Sequence, residues 1–348
     1  MPDHQESLFD DAAPAPAPAP RKRSAAATTA RVSAAAVPEA QQALAAALPR
    51  HLHLGTSSWH FPGWAGLVWE GEYEQPVLSR HGLAAYARHP LLRGVSLDRS
   101  FYRPLTASQF AAYAAQVPAD FRFVVKAPSL VADALVRGED GRGMQVNPAF
   151  LDSALATQQF VLPALEGLGD RIGALVFQLS PLPAALLGRM PEVMARLAAL
   201  LRALPALRPT APDAVTAVEV RNPEFLTPAF AALLRDAGAT YCLGLHPKLP
   251  PIAEQIPVLR ALWPGPLVCR WNLHRRHGAY GYEEAKGLYE PFDRLVDPDI
   301  ETREALARVI AGTVGAGQPA YVTINNKAEG SAPLSVEALA QAVRARLS

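Results

Sequence analysis

Eight short apolar runs, each followed by a stretch of helical character, constrain this chain more than any other feature. The runs cover residues 53–57, 95–100, 121–126, 173–179, 216–221, 240–243, 267–272 and 320–325. Each has the length of a strand, and several are rich in Val, Phe or Ile. The intervening spacing predicts helices over 78–88, 107–116, 149–162, 191–204, 228–236, 252–262 and 302–314. A last helix is expected over 336–347 behind Ser335 as N-cap, and Gly238 stands where a stop signal belongs after Asp236. Eight strand–helix units in succession predict an α/β chain, a (β/α)8 TIM-type barrel. An open doubly wound sheet is the competing architecture. It would advertise a glycine-rich phosphate turn after an early strand, and the GTSSW that follows the first run is not one.

The beginning of the chain has a different texture. PAPAPAP, from Pro14 to Pro20, predicts a stiff polyproline-II spacer, because proline fixes φ and offers no backbone donor. Arg21, Lys22, Arg23 and a Ser/Ala/Thr stretch follow, with little that packs. The expected organisation is therefore a disordered arm over 1–48 and a barrel over 49–348, with 39–48 either a short helix or more arm. The roughly 300 residues after the arm suit a barrel with modest insertions.

Composition excludes several function classes. With 33 basic against 32 acidic residues and a net charge of +1, the surface as a whole is no polyelectrolyte partner. Direct nucleic-acid binding is thus unsupported by net charge, although a local basic patch remains open. Two cysteines, Cys242 and Cys269, rule out a disulfide framework or a cysteine zinc site and fit a reducing compartment. No run approaches the ~18 apolar residues of a membrane span. The acidic start MPDHQESLFDD lacks the pattern of a signal peptide. A cytoplasmic protein with no membrane association is expected.

Strand alternation supplies the functional signal. In 218–221 the two valines share one face, which turns Glu219 and Arg221 to the barrel interior. The same parity places Lys126 with Val124, Gln178 with Val176, and Arg270 and Asn272 with Val268. It places Asn325 with Thr323, Asp98 with Ser96 and Ser100, and Gly55 with His53 and Ser57. Seven of the eight strands therefore carry a polar inward residue near the C-terminal end, the rim that supplies catalytic groups in such barrels. Buried charges cost several kcal/mol each unless paired, so a converging ring of them has a purpose. One reading is an active site. The other is a structural network in which Glu219 neutralises Arg221 and Lys126 and closes the mouth.

Read as a site, Glu219 is the expected general acid or base and Lys126 its electrostatic or proton-transfer partner, with Asp98 a secondary candidate. Only five of the basic residues are lysine, and one kept at a strand end can act as acid, base or amine when its pKa falls. Arg221 and Arg270 suit a carboxylate or phosphate through their planar forks, with Gln178, Asn325 and Asn326 orienting it. Aromatic residues gather at the same end: Trp59, Trp64 and Trp69 after the first strand, Phe101 and Tyr102 after the second, and Trp271, Tyr280 and Tyr282 around the seventh. Trp59 and Tyr102 are the expected stacking surfaces for a sugar-like ligand; the alternative is that such rings pin long loops to the barrel. The segment 273–298 is long enough for a lid or a dimer contact.

LGTSSWHFPGW (54–64), SFYRP (100–104), FRFVVKAP (121–128), LVFQLSP (175–181), AVEVRNPEF (217–225) and INNKAEGSAP (324–333) together resemble domain-of-unknown-function family 72, the YecE-like family. The resemblance covers about residues 52–347. It implies the (β/α)8 barrel and no particular reaction. Lys126, Gln178, Glu219, Arg221, Asn325 and Asn326 fit the family pattern. Ser96 and Asp98 stand where the family usually has an acidic residue and an asparagine. An Arg-x-His-Gly-like element after the seventh strand is present only as Arg270-Trp271-Asn272-Leu273-His274. Both departures fall at the rim, which points to a substrate different from that of typical members.

Two further readings concern partners. Gln5-Glu6-Ser7-Leu8-Phe9 resembles the peptide by which bacterial polymerases and repair proteins dock on the DNA sliding clamp, with Gln5, Leu8 and Phe9 as anchors and Glu6 in place of the usual leucine. An apolar pair near the tip of a proline-spaced arm suits tethering; an inert start peptide is the alternative. Metal is not expected. His53 lies deep in the first strand, His246 follows the sixth, and His274 and His277 flank Arg275 and Arg276, whose charges repel a cation. No cofactor is expected. The function these features predict is a barrel protein, an enzyme of acid–base type, holding a small polar anionic or sugar-like ligand at its C-terminal mouth. The alternatives are a clamp-tethered DNA-associated protein and a non-catalytic ligand-binding barrel.

Overall fold

The computed structural model describes residues 31–137 and 143–347. Gln5, Leu8, Phe9 and the Pro/Ala spacer lie outside the described residues. Eight parallel strands close into one barrel: β1 Leu52–Thr56, β2 Gly94–Leu97, β3 Arg122–Lys126, β4 Ile172–Gln178, β5 Val215–Glu219, β6 Thr240–Leu245, β7 Leu267–Trp271 and β8 Ala320–Ile324. Each strand pairs with the next in sequence, and β1 closes the ring by pairing with β8 from Leu52↔Ala320 to Thr56↔Ile324. The expected α/β barrel is the fold.

Two separate cores follow from the period-two alternation of the strands. Inside the barrel, Val124, Ala174, Val176, Ala217, Cys242, Val268 and Tyr321 pack together. Outside it, the alternate residues Val125, Leu175, Val218, Leu243, Cys269 and Val322 join the helices in a second cluster. Parity read from the sequence therefore sorted inward from outward residues correctly on β3, β4, β5, β7 and β8. Burying each large aliphatic chain contributes about 1.5–3 kcal/mol, so a one-residue slip in any strand exchanges the two cores and is strongly disfavoured.

The helices form where amphipathic spacing and end signals agree. Met190–Ala203 buries Val193, Leu197, Leu200 and Leu201, one face at 3.6-residue spacing. Ala107–Ala114 begins with a full capping box, Thr106 accepting from Gln109 N–H while the Gln109 side chain accepts from Thr106 N–H. Pro228–Asp236 starts behind Thr227 and stops at Gly238, whose φ of 67° is the left-handed conformation that favours glycine.

Several boundaries differ from the sequence expectation. Of the two readings open for 39–48, the short helix is the one found, over Glu39–Ala46; the difference from the expected arm is that Val32, Leu44, Ala45 and Leu48 are buried in the outer core. The alanine-rich composition concealed this, because a few apolar side chains suffice to seat one short helix. The second strand ends at Leu97, and residues 99–102 turn helical, so Asp98 and Ser100 are not strand residues. The helix expected from 149 begins at Ser153 with Asp152 as its cap and runs on to Leu168 through a π-helical turn over Thr157–Val161. The last helix begins at Ala332, which puts Ser335 inside it instead of at its cap. An antiparallel hairpin of Leu135–Arg137 and Gly143–Val146 was not foreseen.

Candidate functional site

At the C-terminal ends of the strands a cluster of charged side chains replaces the apolar interior. β5 contributes Glu219, with Arg221 two residues beyond it; β7 contributes Arg270 and then Asn272; β3 ends in Lys126 and β4 in Gln178; Asp98 follows β2. Glu219 is fully buried. Its Oε2 accepts from Arg270 Nη1 at 2.7 Å, and its Oε1 lies 2.8 Å from Arg221 Nη2 and 3.4 Å from Asn272 Nδ2. Gly244 on β6 lies beside it: a Cβ there would be in ordinary contact with Glu219 Oε1 at 3.7 Å, and its tight neighbour would be Leu249 Cδ1 at 3.0 Å.

Arg270 is the hub. Its Nη1 also donates to Gln178 Oε1 at 3.0 Å, and its Nη2 donates to Asp98 Oδ2 at 2.6 Å, across 172 positions of sequence. Arg221 Nη2 donates to the same Gln178 oxygen at 3.0 Å. Asp98 Oδ1 in turn accepts from Ser96 Oγ at 2.6 Å. Both carboxylates and the Gln178 carbonyl oxygen are therefore engaged by protein donors.

The donors are not all engaged. Arg221 Nη1 is buried and has no hydrogen-bond partner among the described residues. Lys126 is 3% exposed, and its Nζ sits 3.6 Å above the centre of the Phe101 ring. Among the described residues nothing hydrogen-bonds to that ammonium. Burial is the largest influence on Lys126 and pushes it down from 10.5 to about 7; Asp98 and Glu219 oppose that drop while Arg270 and Arg221 reinforce it. Burial works against ionisation of Glu219, but Arg221, Arg270 and the hydrogen bond from Arg270 outweigh it and hold the carboxyl below its ordinary range. Asp98, with its side chain 22% exposed, marks where the cluster meets solvent.

The expected site residues thus divide. Asp98, Lys126, Gln178, Glu219, Arg221 and Arg270 come together. The acid–base role expected of Glu219 does not match its surroundings: a carboxylate locked between two guanidiniums is held ionised and anchors them. Asn325 turns its Oδ1 to Lys327 N–H, starting a 3-10 turn. Asn326 accepts from Trp64 Nε1 at 3.2 Å and from Ala332 N–H at 2.8 Å, so it braces the first loop against the last helix. Trp59 is buried in a perpendicular pair with Tyr113, and Tyr102 is exposed and perpendicular to Phe101. The first-loop tryptophans fit the loop-pinning alternative. Ser100 donates to the carbonyl oxygens of Leu97 and Lys126, fixing the turn after β2 to the end of β3.

Residues 273–298 fold down as an ordered excursion. Helix Tyr282–Tyr289 is tied to it by the pair His277–Tyr289 at 2.7 Å and by Tyr289 donating to Asp297 at 2.7 Å. Sequence reasoning weighed His246 only as a metal ligand and did not single out Phe101 as the ring beneath Lys126. It also passed over Lys327, which burial pushes down to about 8 and which lies 5.6 Å from the Tyr282 ring. A signal for Phe101 was present in its position within the short turn that follows β2. Lys327 lies beyond the strand, where alternation says nothing. Among the described residues no group of three or more His, Cys, Asp and Glu side chains is placed to hold a metal ion.

Fold and cluster together define a class, the (β/α)8 barrels with polar groups at the C-terminal mouth. The chain belongs to the family described as "Protein of unknown function DUF72", whose model matches residues 53–348; YecE-like is another label for it. Two crystal structures of a DUF72 family protein from Enterococcus faecalis are similar to it at 16% identity. One covers 84% of this chain and 96% of its own with a TM-score of 0.49; the other covers 85% and 95% with a TM-score of 0.50. A DUF72 family protein from Thermotoga maritima is 19% identical over 83% of this chain and 98% of its own, with a TM-score of 0.48. Of these likenesses only the one with a TM-score of 0.50 bears on the chain, and it speaks to the fold alone. No curated protein matches the chain. Among the described residues no helix is long and apolar enough to cross a membrane.

Proposed function

We propose that the mouth of the barrel binds a small anionic ligand, held by Arg221 and Lys126, and that Lys126 moves a proton to or from it. The imbalance between donors and acceptors carries this reading. Every acceptor of Asp98, Gln178 and Glu219 that faces the cluster is taken by Arg270, Arg221, Asn272 or Ser96, while Arg221 Nη1 is buried without a partner and Lys126 Nζ rests on the Phe101 ring with no hydrogen bond from the described residues. A buried donor without a partner costs about 1–3 kcal/mol, which a bound oxyanion relieves. A sugar hydroxyl needs acceptors as well as donors, so of the two ligand types expected from the sequence the anion is favoured. Lys126, held near neutrality, is suited to proton transfer at physiological pH. A cytoplasmic setting agrees with the two free, buried cysteines inside the barrel wall.

Calorimetric titration with inorganic phosphate, acetate and glucose at pH 6, where Lys126 is protonated, tests the reading. At least one anion binds, glucose does not, and Arg221→Gln weakens the anion at least tenfold. Glucose binding in preference to both anions, or an unchanged affinity in Arg221→Gln, refutes it. The proton-transfer part has its own readout: at pH 7.5 about three-quarters of Lys126 is neutral, so binding takes up a fraction of a proton, and Lys126→Met abolishes that uptake.

A further inference from the structure

Resting on that reading, we infer that His246 is the third donor of the mouth, a neutral imidazole whose Nε2–H hydrogen-bonds an oxygen of the ligand, and that the ligand group is a phosphate. Alternation along β6 sends Cys242 into the inner core and puts Gly244 beside Glu219. The next inward position is His246, one residue beyond the strand. Asn272 N–H donating to Leu245 O at 3.0 Å carries the β6–β7 ladder up to that point, so His246 emerges at the rim beside Asn272. The residue is 3% exposed, and its ring lies 5.5 Å from that of Tyr282.

One contact fixes the tautomer. His246 Nδ1 accepts from Lys248 N–H at 3.0 Å, and only an unprotonated ring nitrogen accepts. The proton of the neutral ring is therefore on Nε2, and among the described residues nothing accepts it. Burial first, then the charges of Arg221, Lys248 and Arg275, keep the ring from gaining a second proton. Protonation is thus closed to this histidine, and donation from Nε2 is what remains.

Lys126, Arg221 and His246 reach the mouth from three strands, β3, β5 and β6, of which β5 and β6 are neighbours, so their donors do not come from a single edge. A planar carboxylate presents two oxygens on one edge, whereas a tetrahedral phosphate presents three or four around a centre. Three donors from different strands, with the neighbouring acceptors already engaged, suit the second shape better than the first. The free ion and a phosphate monoester share this chemistry, because both present the same oxygens.

The test uses the full chain labelled with 15N-histidine, with the His246 signal assigned by its absence in His246→Gln. The free protein shows the Nε2–H tautomer, unchanged between pH 7.5 and 5.5, and inorganic phosphate shifts the Nε2 resonance. In calorimetry, His246→Phe weakens phosphate about tenfold, the worth of one hydrogen bond, and His246→Gln, whose amide still donates, recovers part of the loss. Glucose 6-phosphate binding at least as tightly as inorganic phosphate assigns the group to a monoester; tighter binding of inorganic phosphate assigns it to the free ion. If phosphate binds, Arg221→Gln abolishes binding, and neither His246→Phe nor the Nε2 resonance responds, this inference is wrong while the anion-binding mouth stands. If acetate binds as tightly as phosphate, the ligand class is wrong. If neither anion binds the parent protein, the mouth reading falls and this inference with it.

Discussion

Replacing Lys126 with methionine removes a buried charge while keeping the length of the side chain, and its consequence is worked from the environment of the ammonium. An ordinary lysine titrates near 10.5; burial, only partly offset by Asp98 and Glu219, brings this one to about 7. Below pH 7 the folded and unfolded chains both carry the proton, and the burial penalty is fully present. Above pH 7 the folded chain releases the proton while the unfolded chain keeps it, so stability rises with pH until the ordinary lysine range is reached. The slope is about 1.4 kcal/mol per pH unit once titration is well advanced. From pH 7, where the folded group is half titrated, to pH 9, the gain is about 2 kcal/mol. Lys126→Met lacks this contribution. The measurement is urea unfolding of both proteins at pH 7, 8 and 9, and the quantity of interest is the change with pH in the difference between them, which cancels every other titrating group. Its absolute value is not diagnostic, because methionine also gives up the cation–π contact with Phe101 and leaves Asp98 and Glu219 with one cation fewer. Parallel pH profiles for the two proteins would refute the placement of Lys126 as a near-neutral buried amine.

Glu219→Gln leaves two guanidiniums facing a neutral group, and breaking a buried pair from one side costs about 3–5 kcal/mol; a loss under about 1 kcal/mol in urea unfolding would show that the carboxylate does not anchor them. Asn326→Ala removes the acceptor shared by Trp64 Nε1 and Ala332 N–H and is expected to lower stability by about 2 kcal/mol while leaving phosphate affinity within twofold; a selective loss of affinity would return Asn326 to the ligand. For the arm, reading Gln5, Leu8 and Phe9 as a clamp-docking peptide predicts that residues 1–20 retain purified sliding clamp in a pull-down. Leu8→Ala with Phe9→Ala should abolish retention, and failure of the parent peptide to retain the clamp removes that reading.

The barrel was legible because its evidence is local and repeated. Val124 beside Lys126, Val176 beside Gln178 and Val268 beside Arg270 each declare an inward face within three residues, and eight strand-length runs, most of them with such a face, point to one architecture. Where a polar residue left the strand, the same rule lost its hold. Asp98 and Ser100 share a parity in the sequence, yet the chain turns helical after Leu97, and they part: Asp98 reaches Arg270, while Ser100 serves the backbone of β3. Asn325 and Asn326 likewise sit past the end of β8, where turn geometry decides their direction.

By itself, then, the sequence determined that a barrel forms and which end of it carries charge, since period-two alternation and run length are properties of neighbouring residues. What it left open was the state of those charges. Glu219 reads equally well as a free base or as an anchor until closure of the ring brings Arg270 and Arg221 onto it. His246 reads as a stray histidine until Lys248 N–H occupies one of its nitrogens. Only the tertiary structure decided this, because whether a polar group is satisfied depends on partners drawn from strands far apart in the chain, and the donors left over after that competition are the ones available to a ligand.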